Sequence, residues 1–313
     1  MILNQPSKES LMKILLLGKN GQVGWELQRA LQPLGEVIAL DRHANAQGLC
    51  GDIANFETIT QLIQQLQPNI VVNATAYTAV DKAEIETEQA DLINHLAVKH
   101  LAEQCQKVSA LLIHYSTDYV FSGEGTQAWQ EQDVTAPQNI YGQSKRAGEI
   151  ALEHRAVQFI NFRTSWVYGT HGQNFVKTML RLAQAKEELS IIADQMGAPT
   201  GAALIADVTA QAIRYYSLQN IEQQQQLCGH YHLAASGETS WYEYAQYIFS
   251  VARRKGLVLQ LQQVHPIATT AYPTPAKRPL NSRLDTRKLQ QQFHLHLPHW
   301  QQGVEQVLGE IIV

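Results

Sequence analysis

The architecture of this chain follows from the stretch Lys13-Ile14-Leu15-Leu16-Leu17-Gly18-Lys19-Asn20-Gly21-Gln22-Val23-Gly24. Its opening apolar run is typical of a strand buried on both faces of a parallel sheet. Apolar residues then recur through Leu27, Ala30, Leu31 and Leu34, a helical spacing that predicts a helix after the glycines. Glycines allow a tight turn and close backbone approach, and the N–H groups at a helix start bind pyrophosphate. Strand, glycine turn and helix therefore predict a dinucleotide-binding unit, with GxxGxxG in place of the GxGxxG spacing.

The same alternation of strand and helix patterns continues along the chain. Further buried strands are expected at residues 36–40, 69–76, 110–114, 157–163 and 231–234, with another starting at residue 189. Helical patterns lie at residues 56–66, 84–106, 174–185, 204–217, 241–255 and 301–312. This rhythm predicts an α/β fold, a Rossmann-type doubly wound parallel sheet with a smaller C-terminal α/β substrate-binding domain.

The same patterns suggest how the domains divide the sequence. We expect residues 1–11 to be a flexible extension, residues 12–165 plus about 204–235 to bind NAD(P), and about 166–203 plus 236–313 to bind substrate. Residues 220–226 are rich in Gln and predict a surface loop, and the Pro- and Arg-containing segment 265–283 predicts an extended lid.

Composition indicates no nucleic-acid or membrane partner. The 313 residues carry 24 basic and 28 acidic side chains, a net charge of −4, so no basic field is evident. The three cysteines, Cys50, Cys105 and Cys228, form no CxxC pair and suit a reducing compartment. The first apolar run is too short for a signal peptide or membrane helix, so a cytoplasmic location is expected.

Candidate cofactor contacts follow the first two strands. Asp41, 17 residues beyond Gly24, lies near where an acidic residue accepts the adenosine ribose hydroxyls, although a strand-end turn residue is the alternative. The adjacent Arg42 could accommodate a 2′-phosphate, so NADH is favoured and NADPH stays open. Asp52 could bind the adenine amino group or simply flank the next helix. The other predicted contacts are the glycine turn and two strand-end segments: Gly18, Gly21, Gln22, Val23, Gly24, Ile53, Ala74, Thr75 and Ala76.

The candidate proton-transfer residues lie further along. Thr117 and Asp118 follow an apolar strand, and Tyr141 and Lys145 are four residues apart, one turn apart on a helix face. A phenol beside an ammonium can hold a lowered pKa and exchange a proton with a carbonyl oxygen near neutral pH. Such a pair also occurs on many solvated helices, so the flanking motifs carry the interpretation. Because a predicted nucleotide-binding unit precedes the Tyr141–Lys145 pair in the sequence, the pair predicts reduction of a carbonyl group.

Together these motifs resemble the extended short-chain dehydrogenase/reductase family. Within it, residues 78–84, 163–168, 194–200 and 278–284 are similar to the dTDP-4-dehydrorhamnose reductase family, and the resemblance runs from about residue 12 to the C-terminus. It implies NAD(P)H-dependent reduction of the C4 carbonyl of dTDP-4-dehydro-L-rhamnose. The product, dTDP-L-rhamnose, would serve cell-surface polysaccharide synthesis.

The resemblance also implies roles for single residues. Tyr141 would protonate the carbonyl oxygen, and Lys145 would hold the nicotinamide ribose and lower the Tyr141 pKa. Thr117 and Asp118 would bind sugar hydroxyls and polarise the carbonyl. Tyr115 would lie beside the cofactor.

Two further roles rest on the C-terminal half of the resemblance. Trp166 would pack on the substrate, whereas a tryptophan after a strand more often belongs to the core. Arg278 and Arg283 could bind the diphosphate, because guanidinium binds phosphate bidentately, or could be solvated lid residues.

Some members of the family are magnesium-dependent homodimers with interface glutamates. Glu26 and Glu310 match two such positions, but Ala203 stands where the family has a glutamate. Hard cations need oxygen ligands, so one ligand is missing. Two interpretations of Glu26 therefore stay open: a magnesium ligand in a homodimer, or an ordinary exposed residue of the first helix.

Two rival functions use the same scaffold. An epimerase or dehydratase would recycle its cofactor internally, and the run Thr117-Asp118-Tyr119 lacks the Glu that dehydratases typically carry beside the Asp. A non-catalytic regulatory subunit would keep the fold alone. Retention of Thr117, Tyr141 and Lys145 together favours an enzyme.

Overall fold

The computed structural model describes residues 11–155 and 157–312. Nearly all of the predicted N-terminal extension lies outside the described residues. Twelve strands are present among the described residues: β1 (Lys13–Leu17), β2 (Glu36–Leu40), β3 (Ile70–Asn73), β4 (Leu111–Thr117), β5 (Phe159–Thr164), β6 (Val167–Tyr168), β7 (Glu188–Ile192), β8 (Met196–Gly197), β9 (Thr200–Gly201), β10 (Gly229–His232), β11 (Thr239–Ser240) and β12 (Gln263–Ile267).

Six of these strands form one sheet in the order β2-β1-β3-β4-β5-β10, and every pairing in it is parallel. Successive side chains of β1 alternate between two apolar clusters, as the two-residue period of a strand requires. Ile14 and Leu16 join one cluster, and Leu15 and Leu17 join the other. Both faces of the sheet are therefore covered, which confirms the predicted doubly wound fold.

The helices of the described residues are α1 (Gln22–Leu31), α2 (Phe56–Leu66), α3 (Val80–Ala83), α4 (Thr87–Asp91), α5 (Ala97–Lys107), α6 (Ile140–Glu153), α7 (Phe175–Ala185), α8 (Ala202–Ser217), α9 (Ile221–Gln226), α10 (Trp241–Arg254), α11 (Arg287–Phe293) and α12 (Trp300–Ile311). Helices α1 and α8 pack on one face of the sheet, and α2 and α5 pack on the other. No helix in this part of the chain combines the length and apolar character needed to cross a membrane.

The structure differs from two sequence-based expectations, in the course of one helix and in a segment expected as a loop. The helix expected at residues 84–106 begins at Thr87, and a π-helical turn, Leu92–Leu96, joins α4 to α5. The Gln-rich segment expected as a loop forms helix α9, because Asn220 and Gln223 cap each other's backbone in a capping box. Composition alone did not reveal this reciprocal cap.

A third apolar cluster joins α7, α10 and α12 with β7. The predicted domain boundaries stay a prediction. Leu289, Phe293 and Leu297, expected in the substrate domain, pack with the cluster of the six-stranded sheet.

The segment predicted as a lid is only partly extended loop. Its first residues belong to β12, which pairs in parallel with β7. The following segment runs back to residues 123–139, where Asn139 Nδ2 donates to the Lys277 carbonyl at 2.8 Å and the Asn281 N–H donates to the Gly123 carbonyl at 2.9 Å. These contacts hold residues 277–281 beside the end of β4.

Candidate active site

The glycine turn after β1 is held by close backbone contacts. Gly18 has φ +88°, and a Cβ there would lie 2.9 Å from the Ala74 carbonyl. A Cβ on Gly24 would lie 2.0 Å from the Gly18 oxygen. The Gly18 N–H donates to the Leu40 carbonyl at 2.9 Å. Side chains are therefore excluded where the first helix meets the turn, as a nucleotide cradle requires.

A cleft of about 540 Å³ opens at this edge of the sheet. Residues 74–76 leave β3 directly into it, because β3 ends at Asn73. The predicted cofactor residues that line it are Gly18, Gly21, Asp41, Arg42, Asp52, Ile53, Ala74, Thr75 and Ala76. Gln22, Val23 and Gly24 lie in the first turn of α1, outside this lining. The cleft therefore has the glycine cradle, the acidic residue and the small side chains that a dinucleotide requires.

Asp41 presents an ionised carboxylate at the cleft. Its oxygens accept the His43 N–H at 2.7 Å and the Asn20 Nδ2 at 2.6 Å. The bond from His43 contributes most to lowering the Asp41 pKa, and Lys19 adds to it. Asp52 accepts the Ala54 N–H at 3.1 Å and so acts at least as a turn residue.

Helix α6 brings Tyr141 to the end of β4. Asn139 caps the helix, its side chain accepting the Gly142 N–H at 2.8 Å. Gly142 allows a close approach, since a Cβ there would lie 2.3 Å from the Tyr119 carbonyl oxygen. The Tyr141 ring packs edge-on against Tyr119, with ring centroids 5.6 Å apart.

The Tyr141 pKa is raised, not lowered. Burial is the main cause, and the nearby charges of Asp118 and Tyr119 act in the same direction. A hydrogen bond with the Thr117 hydroxyl opposes the rise. Lys145 Nζ points instead to the Tyr115 carbonyl, at 2.5 Å. The prediction that Lys145 lowers the Tyr141 pKa was therefore wrong for this structure, and the phenol is neutral, the form that can donate a proton.

Lys145 is buried behind the turn. Besides the Tyr115 carbonyl, its Nζ lies 3.3 Å from His114 Nε2. Burial lowers the Lys145 pKa to about 8, against the opposing charge of Glu149. The Tyr115 phenol itself hydrogen-bonds Thr209 on α8 at 2.8 Å, so this residue meets Lys145 through its backbone.

Thr117 ends β4 and Asp118 begins the short 3-10 turn that follows, and both side chains are buried. The Thr117 hydroxyl donates to Asp118 Oδ1 at 3.1 Å and accepts the Tyr119 N–H at 3.2 Å. Asp118 Oδ2 has no hydrogen-bond partner within the described residues. Burial raises the Asp118 pKa to about 6, and the nearby Ser282 and Thr117 hydroxyls oppose that rise. A buried acceptor atom is thus available beside the Tyr141 phenol.

Trp166 belongs to an aromatic stack. It has φ +48° and stacks on Trp241, with ring centroids 3.7 Å apart. Trp241 in turn contacts Phe175 at 4.6 Å. The stack fixes the Trp166 ring and covers one of its faces, and Trp166 as a whole is only partly buried.

The two lid arginines are paired with carboxylates. Arg278 Nη2 lies 2.6 Å from Asp81, and its Nη1 lies 3.5 Å from the Tyr119 hydroxyl. Arg283 Nε lies 2.5 Å from Glu238. Arg278 therefore reaches the neighbourhood of Tyr141 through Tyr119, while Arg283 lies at a separate ion pair.

Sequence patterns did not point to Asn94, whose side chain links the backbone at Tyr77 to Ser144 of α6. It lies in the π-helical turn, where its Oδ1 accepts the Tyr77 N–H at 2.9 Å and its Nδ2 donates to Ser144 Oγ at 3.0 Å. Gly148 of α6 packs on the same turn, since a Cβ there would lie 2.2 Å from the Asn94 carbonyl oxygen. No periodicity or spacing marks a π-helical turn, so no sequence signal pointed to it.

The three positions considered for magnesium line a different cleft, of about 700 Å³. Glu26, Ala203 and Glu310 lie there with Arg29, whose guanidinium is 3.7 Å from Glu26 and 2.9 Å from Asp207. Within residues 11–155 and 157–312, no three His, Cys, Asp or Glu side chains are grouped to hold a metal ion. With an alanine at one position and an arginine beside the glutamate, these residues do not fit a cation held by one chain. No chemical step is assigned to a metal, and the homodimer stays a prediction.

Comparison with known proteins agrees with this geometry. The family described as "RmlD substrate binding domain" matches residues 12–312. The dTDP-4-dehydrorhamnose reductase of Escherichia coli (strain K12) is 54% identical over 300 residues, covering 96% of this chain and 98% of that protein. That of Salmonella typhimurium (strain LT2) is 51% identical with the same coverage of both chains. The crystal structure of the Bacillus anthracis (strain Ames) reductase, in complex with NADP, is 35% identical with a TM-score of 0.85, covering 96% of this chain and all of that one. Since these matches span nearly the whole sequence, the chain belongs to the RmlD family of dTDP-4-dehydrorhamnose reductases.

Proposed function

We propose that this chain reduces the C4 carbonyl of dTDP-4-dehydro-L-rhamnose to give dTDP-L-rhamnose, with NAD(P)H as reductant. The observation that carries the proposal is that Thr117, beside Tyr141, ends β4, while the glycine cleft lies at the ends of β1 and β3, which run parallel to β4 in the same sheet. It is supported by full-length relatives named for this activity and by a related structure that holds NADP. We also propose a cytoplasmic location.

The cofactor, when bound, supplies the hydride, and the glycine turn with Asp41 and Arg42 would hold its adenosine half. Tyr141 delivers the proton to the carbonyl oxygen. Its raised pKa keeps the phenol protonated at neutral pH, so the donor form is the resting form. The Thr117 hydroxyl lies near the phenol, close enough to oppose the rise in its pKa, and can orient it.

The substrate would lie between β4 and the aromatic stack. The unpartnered Oδ2 of Asp118 offers an acceptor for a sugar hydroxyl. The Trp166 ring offers an apolar surface, since Trp241 holds it rigidly in place. Lys145 is buried, and its Nζ donates to the Tyr115 carbonyl of β4 close to this site.

The decisive assay measures oxidation of NADH and of NADPH in the presence of dTDP-4-dehydrorhamnose, with and without EDTA. Stoichiometric oxidation with formation of dTDP-rhamnose is expected, and EDTA should leave the rate unchanged. Product formation without net oxidation would instead indicate an epimerase or dehydratase. No turnover, together with a stable complex with another enzyme, would indicate a regulatory subunit.

A further inference from the structure

A buried polar contact lies directly behind Lys145. Asn73 at the end of β3 pairs in register with His114 in the middle of β4, and both side chains are buried. The His114 ring lies between two partners. Its Nδ1 is 3.2 Å from Asn73 Nδ2, and its Nε2 is 3.3 Å from Lys145 Nζ.

The orientation of the Asn73 amide follows from its other neighbour. Its second atom accepts the Thr75 backbone N–H at 3.1 Å and the Thr75 hydroxyl at 2.5 Å. A backbone N–H can only donate, so the amide oxygen must face Thr75. The amide NH₂ therefore faces His114 Nδ1. Because an NH₂ group can only donate, Nδ1 must carry a lone pair.

This orientation sets the tautomer of His114. A neutral imidazole with a lone pair on Nδ1 carries its proton on Nε2, and that N–H points at Lys145. An ammonium has no lone pair, so a charged Lys145 would place two donors face to face. An uncharged amine resolves the conflict, since it accepts from Nε2–H and still donates to the Tyr115 carbonyl at 2.5 Å.

The charged groups around the contact do not reverse this preference. Glu149, one turn further along α6, favours the ammonium, but both of its oxygens accept hydrogen bonds from Arg163 at 2.8 Å. His230 on β10 disfavours an additional positive charge on His114. Burial and the Lys145 charge also lower the pKa of His114 well below its usual value, so the imidazole stays neutral.

We propose that His114, oriented by Asn73, is a positioning residue that stabilises the uncharged amine of Lys145 and so sets the pH at which Lys145 takes up a proton. The consequence for catalysis rests on the proposed function, whereas the tautomer and the titration of Lys145 do not. A lysine that titrates close to neutral pH can both accept and return a proton, and Lys145 lies one helical turn from Tyr141 on α6.

Nuclear magnetic resonance tests the proposal without substrate or cofactor. In ¹⁵N-histidine-labelled protein, the His114 imidazole, identified by its loss in His114→Gln, should carry its proton on Nε2. In ¹³C-lysine-labelled protein, the Lys145 Cε signal should titrate close to pH 8, about two pH units below an ordinary lysine. A proton on Nδ1, or a Lys145 titration near 10.5, would overturn the proposal.

Two variants change the contact from opposite sides. His114→Gln can turn its amide oxygen to Lys145, and Asn73→Asp gives Nδ1 an acceptor, which moves the imidazole proton to Nδ1. Both changes replace a donor facing Lys145 with an acceptor, so both should raise its pKa by roughly one unit, a tenfold gain in proton affinity. If either variant fails to fold, the other still tests the contact.

His230→Gln is the matched control, because His230 hydrogen-bonds Asn161 and Glu153 and makes no hydrogen bond to Lys145. It should leave the Lys145 titration unchanged. Unchanged titration in both His114→Gln and Asn73→Asp would refute the proposal. With NAD(P)H and substrate, the alkaline limb of kcat should move upward in the same two variants. Absence of turnover with the expected titrations would refute the proposed function alone.

Discussion

Replacing Tyr141 with Phe removes one oxygen atom from the centre of the proposed site. In the folded protein that oxygen lies near the Thr117 hydroxyl, which itself bonds Asp118 and the Tyr119 N–H. Thr117 therefore keeps partners in the variant, and the free energy of unfolding should fall by only about 1 kcal/mol, the usual net value of one hydrogen bond.

The catalytic loss should be much larger. A positioned proton donor typically contributes ~10²–10⁴ in rate, which corresponds to about 2.7–5.4 kcal/mol in the activation free energy. Tyr141→Phe should therefore reduce kcat by that factor while NAD(P)H binding, followed by fluorescence titration, changes little. The assay is steady-state NAD(P)H oxidation with dTDP-4-dehydrorhamnose over a range of substrate concentrations.

Tyr119→Phe is the matched control, because Tyr119 packs against Tyr141 while, among the described residues, its hydroxyl hydrogen-bonds only Arg278, at 3.5 Å. Its kcat should stay within about tenfold of wild type, well short of the loss expected for a proton donor. A Tyr141→Phe protein that folds and turns over at the wild-type rate would show that another group delivers the proton.

Three further outcomes follow from the same structure. Glu149→Ala should lower the free energy of unfolding by about 3–5 kcal/mol, because it leaves the buried Arg163 without its partner. Glu238→Ala, which breaks the more exposed pair with Arg283, should lower it by less than about 1 kcal/mol. Urea unfolding measures both. Asp118→Asn should stabilise the protein above pH 6. Burial raises the pKa of the Asp118 carboxyl in the folded state from 3.8 to about 6, so ionisation of this carboxyl destabilises the fold, by on the order of 3 kcal/mol at most. The gain in stability should therefore vanish below pH 3.8, where the carboxyl is protonated in both states. A gain that persisted below pH 3.8 would contradict that assignment. Gly24→Ala should lower both the melting temperature and the affinity for NAD(P)H, because its Cβ would lie 2.0 Å from the Gly18 carbonyl oxygen. Gly21→Ala should fold normally, because its Cβ would lie 3.5 Å from the nearest atom. Equal melting temperatures for the two glycine variants would show that the turn relaxes freely.

Much of the fold was predictable because it depends on local periodicity. The apolar run of β1 and the glycines that follow it identify a parallel strand and a nucleotide turn without any knowledge of their neighbours. The same holds for Tyr141 and Lys145, whose spacing places them one turn apart on α6. The cleft at the glycine turn then arises where predicted, since parallel strands bring their carboxyl ends to one edge.

Other features depend on which elements pack together. The Tyr141 pKa was predicted to fall, but burial against Tyr119 and Asp118 raises it, and no pattern in a sequence reports desolvation. Asn94 acts from a π-helical turn that no spacing announces. Arg278 meets Asp81 across 197 positions of sequence, so only the folded chain makes the pair.

Local patterns predict the glycine turn and the phenol–lysine pair on one helix, because each depends on residues within a few turns of one another. The succession of strand and helix patterns along the chain predicts the doubly wound sheet. The protonation state of that lysine, in contrast, follows from the packing of distant elements. Asn73, His114 and Lys145 come from β3, β4 and α6, and strand register and helix packing bring them to within 3.2 and 3.3 Å. The direction of the hydrogen bonds across such a contact depends on which donors and acceptors the fold brings together, and local sequence patterns do not show that.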